Sequence, residues 1–273
     1  MKLFPGITLF SNVENMKKSF RFYLYVLTTL FLCSVAASCN NSNHFAVVKS
    51  LLKTPADTMP IHDSLIAPHV TTPVVSLKAL PVSEKKKKFF QLLLPAVLSA
   101  KIAMNKNRMR VEFILEKKNR SPNEKAFLNS LEVKYMAKSY GQLLTRLHGY
   151  PVSIALAQAA IESGWGSSRF FLKANNPFGI WSFDTIHQRI EASSNRDGRK
   201  IYLRKFNNLN DAVDAYYTML ATRQAFASFR KAALTTQDPY KLIHYLDAYS
   251  ERGDNYLADL ANMIRTNHLE KYD

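Results

Sequence analysis

Residues 152–170 constrain this 273-residue chain more than any other stretch. Val152, Leu156, Ala160 and Ile161 have helical apolar spacing behind Pro151, a residue suited to a first turn, so a buried helix is predicted. Gly164 and Gly166 then end it. Glu162 is left in the last turn, against the negative end of the helix dipole and beside Trp165, and both influences disfavour its charged form. A glutamate that stays protonated near neutral pH can give its proton to a leaving oxygen, which glycoside hydrolysis requires. The plainer alternative is a surface glutamate closing an ordinary helix. Against it, Gly164, Gly166, Gly179, Trp165 and Trp181, drawn from only eight glycines and two tryptophans in the chain, all fall within twenty residues of Glu162. Such crowding suggests a cleft with aromatic walls.

The run Ala157-Gln158-Ala159-Ala160-Ile161-Glu162-Ser163-Gly164-Trp165-Gly166-Ser167-Ser168-Arg169-Phe170, followed by Ala174-Asn175-Asn176-Pro177-Phe178-Gly179-Ile180-Trp181, resembles the glucosaminidase domain of bacterial peptidoglycan hydrolases, and among these the Bax-like family. The similarity extends upstream to Phe89-Phe90-Gln91-Leu92-Leu93-Leu94-Pro95 and downstream to Tyr249-Ser250-Glu251-Arg252-Gly253-Asp254-Asn255-Tyr256, with the motifs in the family's order. It implies an α+β, lysozyme-like fold, a mostly helical body with a small β-hairpin lobe. It also implies Glu162 as catalytic acid, Glu191 as the hairpin glutamate of the relatives, and Tyr249 as the tyrosine near the cleft, able to orient an acetamido group. Trp165, Asn176, Phe178, Gly179, Trp181 and Tyr256 are the substrate-binding candidates, with Tyr256 equally readable as core. Glu191 is also readable as an outward-facing strand residue. Of the other carboxylates before the hairpin ends, Asp197 is explained by Asp-Gly turn chemistry and Asp184 has no assigned role.

At the other end of the chain, Met16-Lys17-Lys18-Ser19-Phe20-Arg21 and the apolar run Phe22 to Val35 read as a signal peptide over residues 1–38, with Met16 a candidate true start. The run ends at Val35-Ala36-Ala37-Ser38-Cys39, which resembles a lipobox with Ala36 where leucine is usual; Cys39 is the candidate lipidation site. Cleavage after a small residue, or retention as a membrane anchor, are the alternatives. Cys33 and Cys39 are the only cysteines, so no disulfide framework or thiolate metal site is available. The seven histidines lack metal-ligand spacing, and neither metal nor cofactor is expected.

Residues 39–84 carry Pro55, Pro60, Pro68, Pro73 and Pro81 among many Ser, Thr and Asn, the composition of an extended tether, and residues 85–273 form the expected domain. The formal charge of +16 falls only to +13 without residues 1–38, which hold four Lys or Arg and one Glu. An exported chain so basic meets wall peptide carboxylates or anionic surface polymers rather than nucleic acid. Helices are predicted at 89–104, 108–118, 122–140, 142–148 and from Asn208 or Asn210 onward, with a last one at 256–269; strands are predicted at 186–192 and 200–206. Together these readings point to an envelope enzyme, anchored to a membrane by lipid, that cleaves the β-1,4 bond after N-acetylglucosamine in peptidoglycan glycan strands. A muramidase, a lytic transglycosylase and a non-catalytic wall-binding protein are the alternatives.

Overall fold

The computed structural model describes residues 48–58, 69–72, 75–193, 195 and 198–273. The expected export segment, Cys39 and the Asp197 turn lie outside them.

A 34-residue helix, α1 (Val82–Leu115), is the spine. Two helices were expected there, at 89–104 and 108–118, but the chain runs straight through Asn105-Lys106-Asn107. This linker has neither glycine nor proline, and Asn105 and Lys106 are exposed, where poor helix formers cost only tenths of a kcal/mol. The N-terminal half of α1 buries Phe89, Leu92, Leu93 and Val97 in the main core, and the C-terminal half buries Val111 and Ile114 in a smaller one.

That smaller core is completed by α2 (Pro122–Lys134) and α3 (Tyr140–Arg146) through Leu128, Leu131, Tyr135, Leu143 and Leu147. Ser121 and Glu124 close a reciprocal capping box on α2, which stops well short of the predicted residue 140 because Met136 turns left-handed at φ 52°. Ser139 then caps α3 by accepting from the Gln142 N–H.

The predicted buried helix is α4 (Val152–Ser163), with every residue from Val152 to Ala160 enclosed. It packs against α1, against α9 (Asp254–Thr266) and against a terminal 3-10 turn at Leu269–Tyr272. A helix apolar on all sides must be central. Pro151 at its N-cap has no side-chain acceptor, and the Asp273 carboxylate takes that role, accepting from the Ser153 N–H at 2.8 Å and the Ser153 hydroxyl at 2.7 Å.

After α4 come α5 (Arg169–Ala174) and the hairpin β3 (Arg189–Glu191) and β4 (Tyr202–Arg204), antiparallel with Ile190 opposite Leu203. Both strands are shorter than predicted. Asn208, the first of the two cap candidates, starts α6 (Leu209–Thr222) by accepting from the Asp211 N–H at 2.9 Å. The short helices α7 (Ala227–Ala233) and α8 (Pro239–Leu242) lead to α9.

The fold thus has the α+β organisation expected, a helical body with one small hairpin. The stretch read as a tether is different from that expectation. Its segments β1 (Val48–Leu51) and β2 (His69–Thr72) pair in parallel, and Leu52, Val75 and Leu77 are in the main core. The Thr58 hydroxyl donates to the buried Gln91 side chain at 2.8 Å. Packed structure therefore begins upstream of the boundary expected at residue 85, because this Pro-rich segment also carries apolar residues that α1 can bury.

Candidate active site

Glu162 occupies the last turn of α4, and the chain then makes a compact exit. Gly164 is left-handed at φ 55°, its N–H reaching the Ile161 carbonyl at 3.3 Å while the Trp165 N–H reaches the Ala160 carbonyl at 2.9 Å, the double closure of a Schellman cap. Trp165 is itself left-handed at φ 57°, which for a bulky residue carries strain of about 1–2 kcal/mol. Packing offsets it, since the indole meets Phe90 edge-on at 5.4 Å and Phe89 at 5.8 Å, with the Lys86 ammonium 4.8 Å over the ring. Trp165 therefore seals α1 onto the end of α4.

Burial raises the pKa of Glu162, against two weaker opposing influences, the nearby Tyr256 hydroxyl and the charge of Arg252. The direction agrees with the sequence expectation; the chief cause is desolvation by the surrounding core. Above the carboxyl lies Gly179 at φ 64°, where a Cβ would stand 3.7 Å from Glu162 Oε2. A side chain at this position would strain the backbone and bring its first carbon into van der Waals contact with the acid.

The loop carrying Gly179 is pinned by its asparagines. Asn176 is enclosed, donating from Nδ2 to the carbonyls of Ile180 at 3.0 Å and Arg204 at 2.9 Å and accepting from the Ile180 N–H at 3.0 Å. Asn175, left-handed at φ 48°, ties the end of α5 to the Phe206 carbonyl at 2.8 Å. Phe178 is 2% exposed and stacks on Tyr216 with ring centroids 4.1 Å apart. Tyr249 donates its hydroxyl to the Phe178 carbonyl at 3.1 Å, and its ring lies parallel to that of Tyr256 at 5.9 Å. Tyr256 is fully enclosed and accepts from the Gln158 amide at 2.9 Å.

The structure thus gathers Glu162, Gly179, Tyr249 and Tyr256 at one place. Asn176, Phe178 and Tyr256, expected to contact substrate, lie beneath the surface, so what they offer is support for the loop and the acid. Trp181 is 37% exposed, joined to Phe183 at 6.0 Å, and flanks a cavity of about 650 Å³ that Arg204, Arg223 and Asp184 also line. Glu162 is not among the residues lining that cavity.

Glu191 stands apart from the cluster. It is exposed on β3, its carboxylate 3.2 Å from Lys200 Nζ and its carbonyl taking a 2.5 Å hydrogen bond from Arg169. Two participants escaped the sequence reading. Arg252 acts on Glu162 through its charge and pairs with Asp259. Gln158 is a buried amide one turn before Glu162, and its signal was visible as a polar residue at i−4 in an otherwise apolar run. Among the described residues no group of three or more His, Cys, Asp or Glu could hold a metal ion.

This arrangement, a half-buried carboxyl at a glycine-ended helix facing a pinned glycine loop, occurs within a region that matches a known domain. Residues 137–269 match the family profile described as mannosyl-glycoprotein endo-beta-N-acetylglucosaminidase, a glucosaminidase-type domain. The chain is 30% identical to Protein bax of Escherichia coli strain K12 over 200 residues, covering 67% of this chain and 70% of that protein. It belongs to the Bax-like family of bacterial peptidoglycan hydrolases with a glucosaminidase domain. Peptidoglycan hydrolase FlgJ of the same strain is 27% identical over 154 residues, 52% of this chain and 46% of FlgJ. Among solved structures, the catalytic domain of the autolysin Auto from Listeria monocytogenes aligns over 59% of this chain and 94% of its own length, with 18% identity and a TM-score of 0.40.

Proposed function

We propose that this chain hydrolyses peptidoglycan glycan strands at the β-1,4 bond after N-acetylglucosamine, with Glu162 as the general acid. The observation that carries the reading is the placement of Glu162, a carboxyl whose pKa burial raises at the end of α4 yet which is left uncovered by Gly179. In the reaction, Glu162 gives its proton to the glycosidic oxygen, the bond to the anomeric carbon breaks with its electron pair going to that oxygen, and water supplies the hydroxyl at the new reducing end while its other proton returns to the Glu162 carboxylate. Tyr249 and Asn176 hold the Phe178-Gly179 loop over the acid. Trp181 is the exposed aromatic surface on which a sugar ring can rest.

Glu191 would have to leave Lys200 to act as base or nucleophile, which favours a route in which the substrate's own acetamido group assists and Glu191 has a secondary part. Residues 1–38 and Cys39 are read as export signal and lipid attachment, placing the enzyme in the cell envelope. Among the described residues no helix is long and apolar enough to cross a membrane. Intact mass spectrometry of the mature protein tests the anchor, and an unmodified N-terminus at or beyond Asn40 contradicts it. The activity is tested by digesting purified peptidoglycan and identifying the new ends. Reducing-end N-acetylglucosamine is expected; reducing-end muramic acid or anhydro ends would replace the reading with a muramidase or a transglycosylase.

A further inference from the structure

A buried amide in an apolar helix needs partners for every polar atom, and the partners of Gln158 form a line that leads to Glu162. Tyr216, on α6, donates its hydroxyl to Gln158 Oε1 at 2.5 Å. Gln158 Nε2 donates to the Tyr256 hydroxyl at 2.9 Å, and the Tyr256 hydroxyl neighbours the Glu162 carboxyl, one turn further along α4, where it favours the charged form. All three supporting side chains are fully enclosed.

The direction of this line follows from counting hydrogens. Tyr216 has no other hydrogen-bond partner among the described residues. With the amide as it stands, the Tyr216 hydrogen goes to Oε1, the Nε2 hydrogen goes to the Tyr256 oxygen, and the Tyr256 hydrogen is free for Glu162. Were the amide reversed, Tyr256 would spend its hydrogen on Oε1, and the Tyr216 hydrogen would be buried without an acceptor. Only the first arrangement gives both tyrosine hydrogens an acceptor and delivers a donor to the acid.

We propose that Gln158 is a positioning residue for the reaction: backed by Tyr216, it fixes the Tyr256 hydroxyl as donor to one Glu162 oxygen, so that the other oxygen carries the acid proton toward the cleft. The inference rests on Glu162 being the acid. The other groups facing Glu162 are Tyr249, whose hydroxyl is committed to the Phe178 carbonyl, and Arg252, paired with Asp259.

The test uses the full chain and soluble glycan-strand fragments, with kcat and KM measured across pH and folding followed by circular dichroism. Donation from Tyr256 favours the charged form of Glu162, so its loss strengthens the hold on the proton. Gln158→Met keeps the volume without the hydrogen bonds and should shift the alkaline limb of kcat to higher pH. It should also lower kcat about tenfold with KM within about twofold. Tyr256→Phe should do the same, and the double variant should lose no more than Tyr256→Phe alone, because the two act through one contact. An unmoved alkaline limb in folded Gln158→Met, or losses that multiply in the double variant, would overturn the proposal. If Gln158→Met does not fold, Tyr216→Phe decides: the freed amide can then reverse and draw the Tyr256 hydrogen away, which predicts a limb shift in the same direction, and no shift overturns the proposal. Glu162→Gln runs alongside. An inactive Glu162→Gln with a normal Gln158→Met profile removes only the positioning role, whereas an active Glu162→Gln removes the acid assignment and this inference with it.

Discussion

The end of α4 and the hairpin each present a glutamate, and the two are held by opposite means. Glu162 is surrounded by apolar helix packing, a neutral tyrosine hydroxyl and a bare glycine loop, and burial pushes its pKa up. Glu191 lies on a two-stranded ribbon in solvent, paired with Lys200. A carboxyl desolvated by a rigid core can store a proton for delivery, while one paired with an ammonium in water lacks a fixed position. The contrast supports the proposal that the acid lies in the core and the hairpin has an auxiliary part. It can be broken or sharpened at four points.

The largest effect is expected at the acid. Glu162→Gln preserves size but cannot donate, so kcat should fall about 10²- to 10⁴-fold on purified glycan strands with the fold intact by circular dichroism. The same variant has a stability signature. Because the folded pKa of Glu162 is raised, the native state binds the proton more tightly than the unfolded chain, and stability falls as pH rises from the unfolded value through the folded one. Above that window the native protein carries a buried charge, so Glu162→Gln should melt at higher temperature than wild type at neutral pH, with the advantage vanishing in acid. Thermal melts at several pH values check the sign.

The next effect belongs to the loop over the acid. Gly179→Ala forces a Cβ into a left-handed position and sets it 3.7 Å from Glu162 Oε2. It should cost about 1–2 kcal/mol of stability and reduce kcat more than KM. Denaturant unfolding and steady-state kinetics on the same sample separate the two.

These sites differ in how far the sequence disclosed them. The central position of α4 could be read from its all-apolar face and its glycine exit, and the raised pKa of Glu162 from its place in the last turn. The orientation of Trp165 could not, because the left-handed turn that swings it onto Phe89 and Phe90 depends on α1, whose contact is distant in sequence. Likewise Asn176 and Phe178 sit in a motif that suggests contact with substrate, while the structure uses them to pin the loop to β4 and to Tyr216. Local pattern carries helices and caps; it does not say which side of a loop is covered. The packing of Leu52, Val75 and Leu77 was hidden for a different reason, since a Pro-rich composition conceals a few well-placed apolar residues.

A third, smaller effect concerns the other end of α4. Asp273 caps this helix from a distance in sequence, and Asp273→Asn weakens the charge-assisted bonds to Ser153 while keeping a side-chain acceptor. A loss of about 1 kcal/mol in denaturant unfolding is expected, with kcat within about twofold, because the perturbation is about two and a half turns away from Glu162. A collapse of activity without loss of stability would mean that the two ends of α4 are coupled and that the core is less rigid than the contrast requires.

The smallest effect is expected on the hairpin. Glu191→Gln removes the ion pair with Lys200 but leaves the Arg169 contact, which uses the main-chain carbonyl of residue 191. Exposed pairs of this kind contribute little to folding, so melting should be unchanged. Activity should fall by less than about tenfold, well below the loss in Glu162→Gln, because a carboxylate engaged with Lys200 is not poised for the anomeric carbon. Lys200→Gln discriminates further. If Glu191 has only a secondary role, releasing it from Lys200 leaves kcat within about twofold, whereas a base or nucleophile freed from its counter-ion would change the acidic limb of the pH profile. Inactivation of Glu191→Gln to the level of Glu162→Gln, with both proteins folded, would make the hairpin an obligatory half of the chemical site, and the division between a rigid acid and an auxiliary lobe would have to be given up.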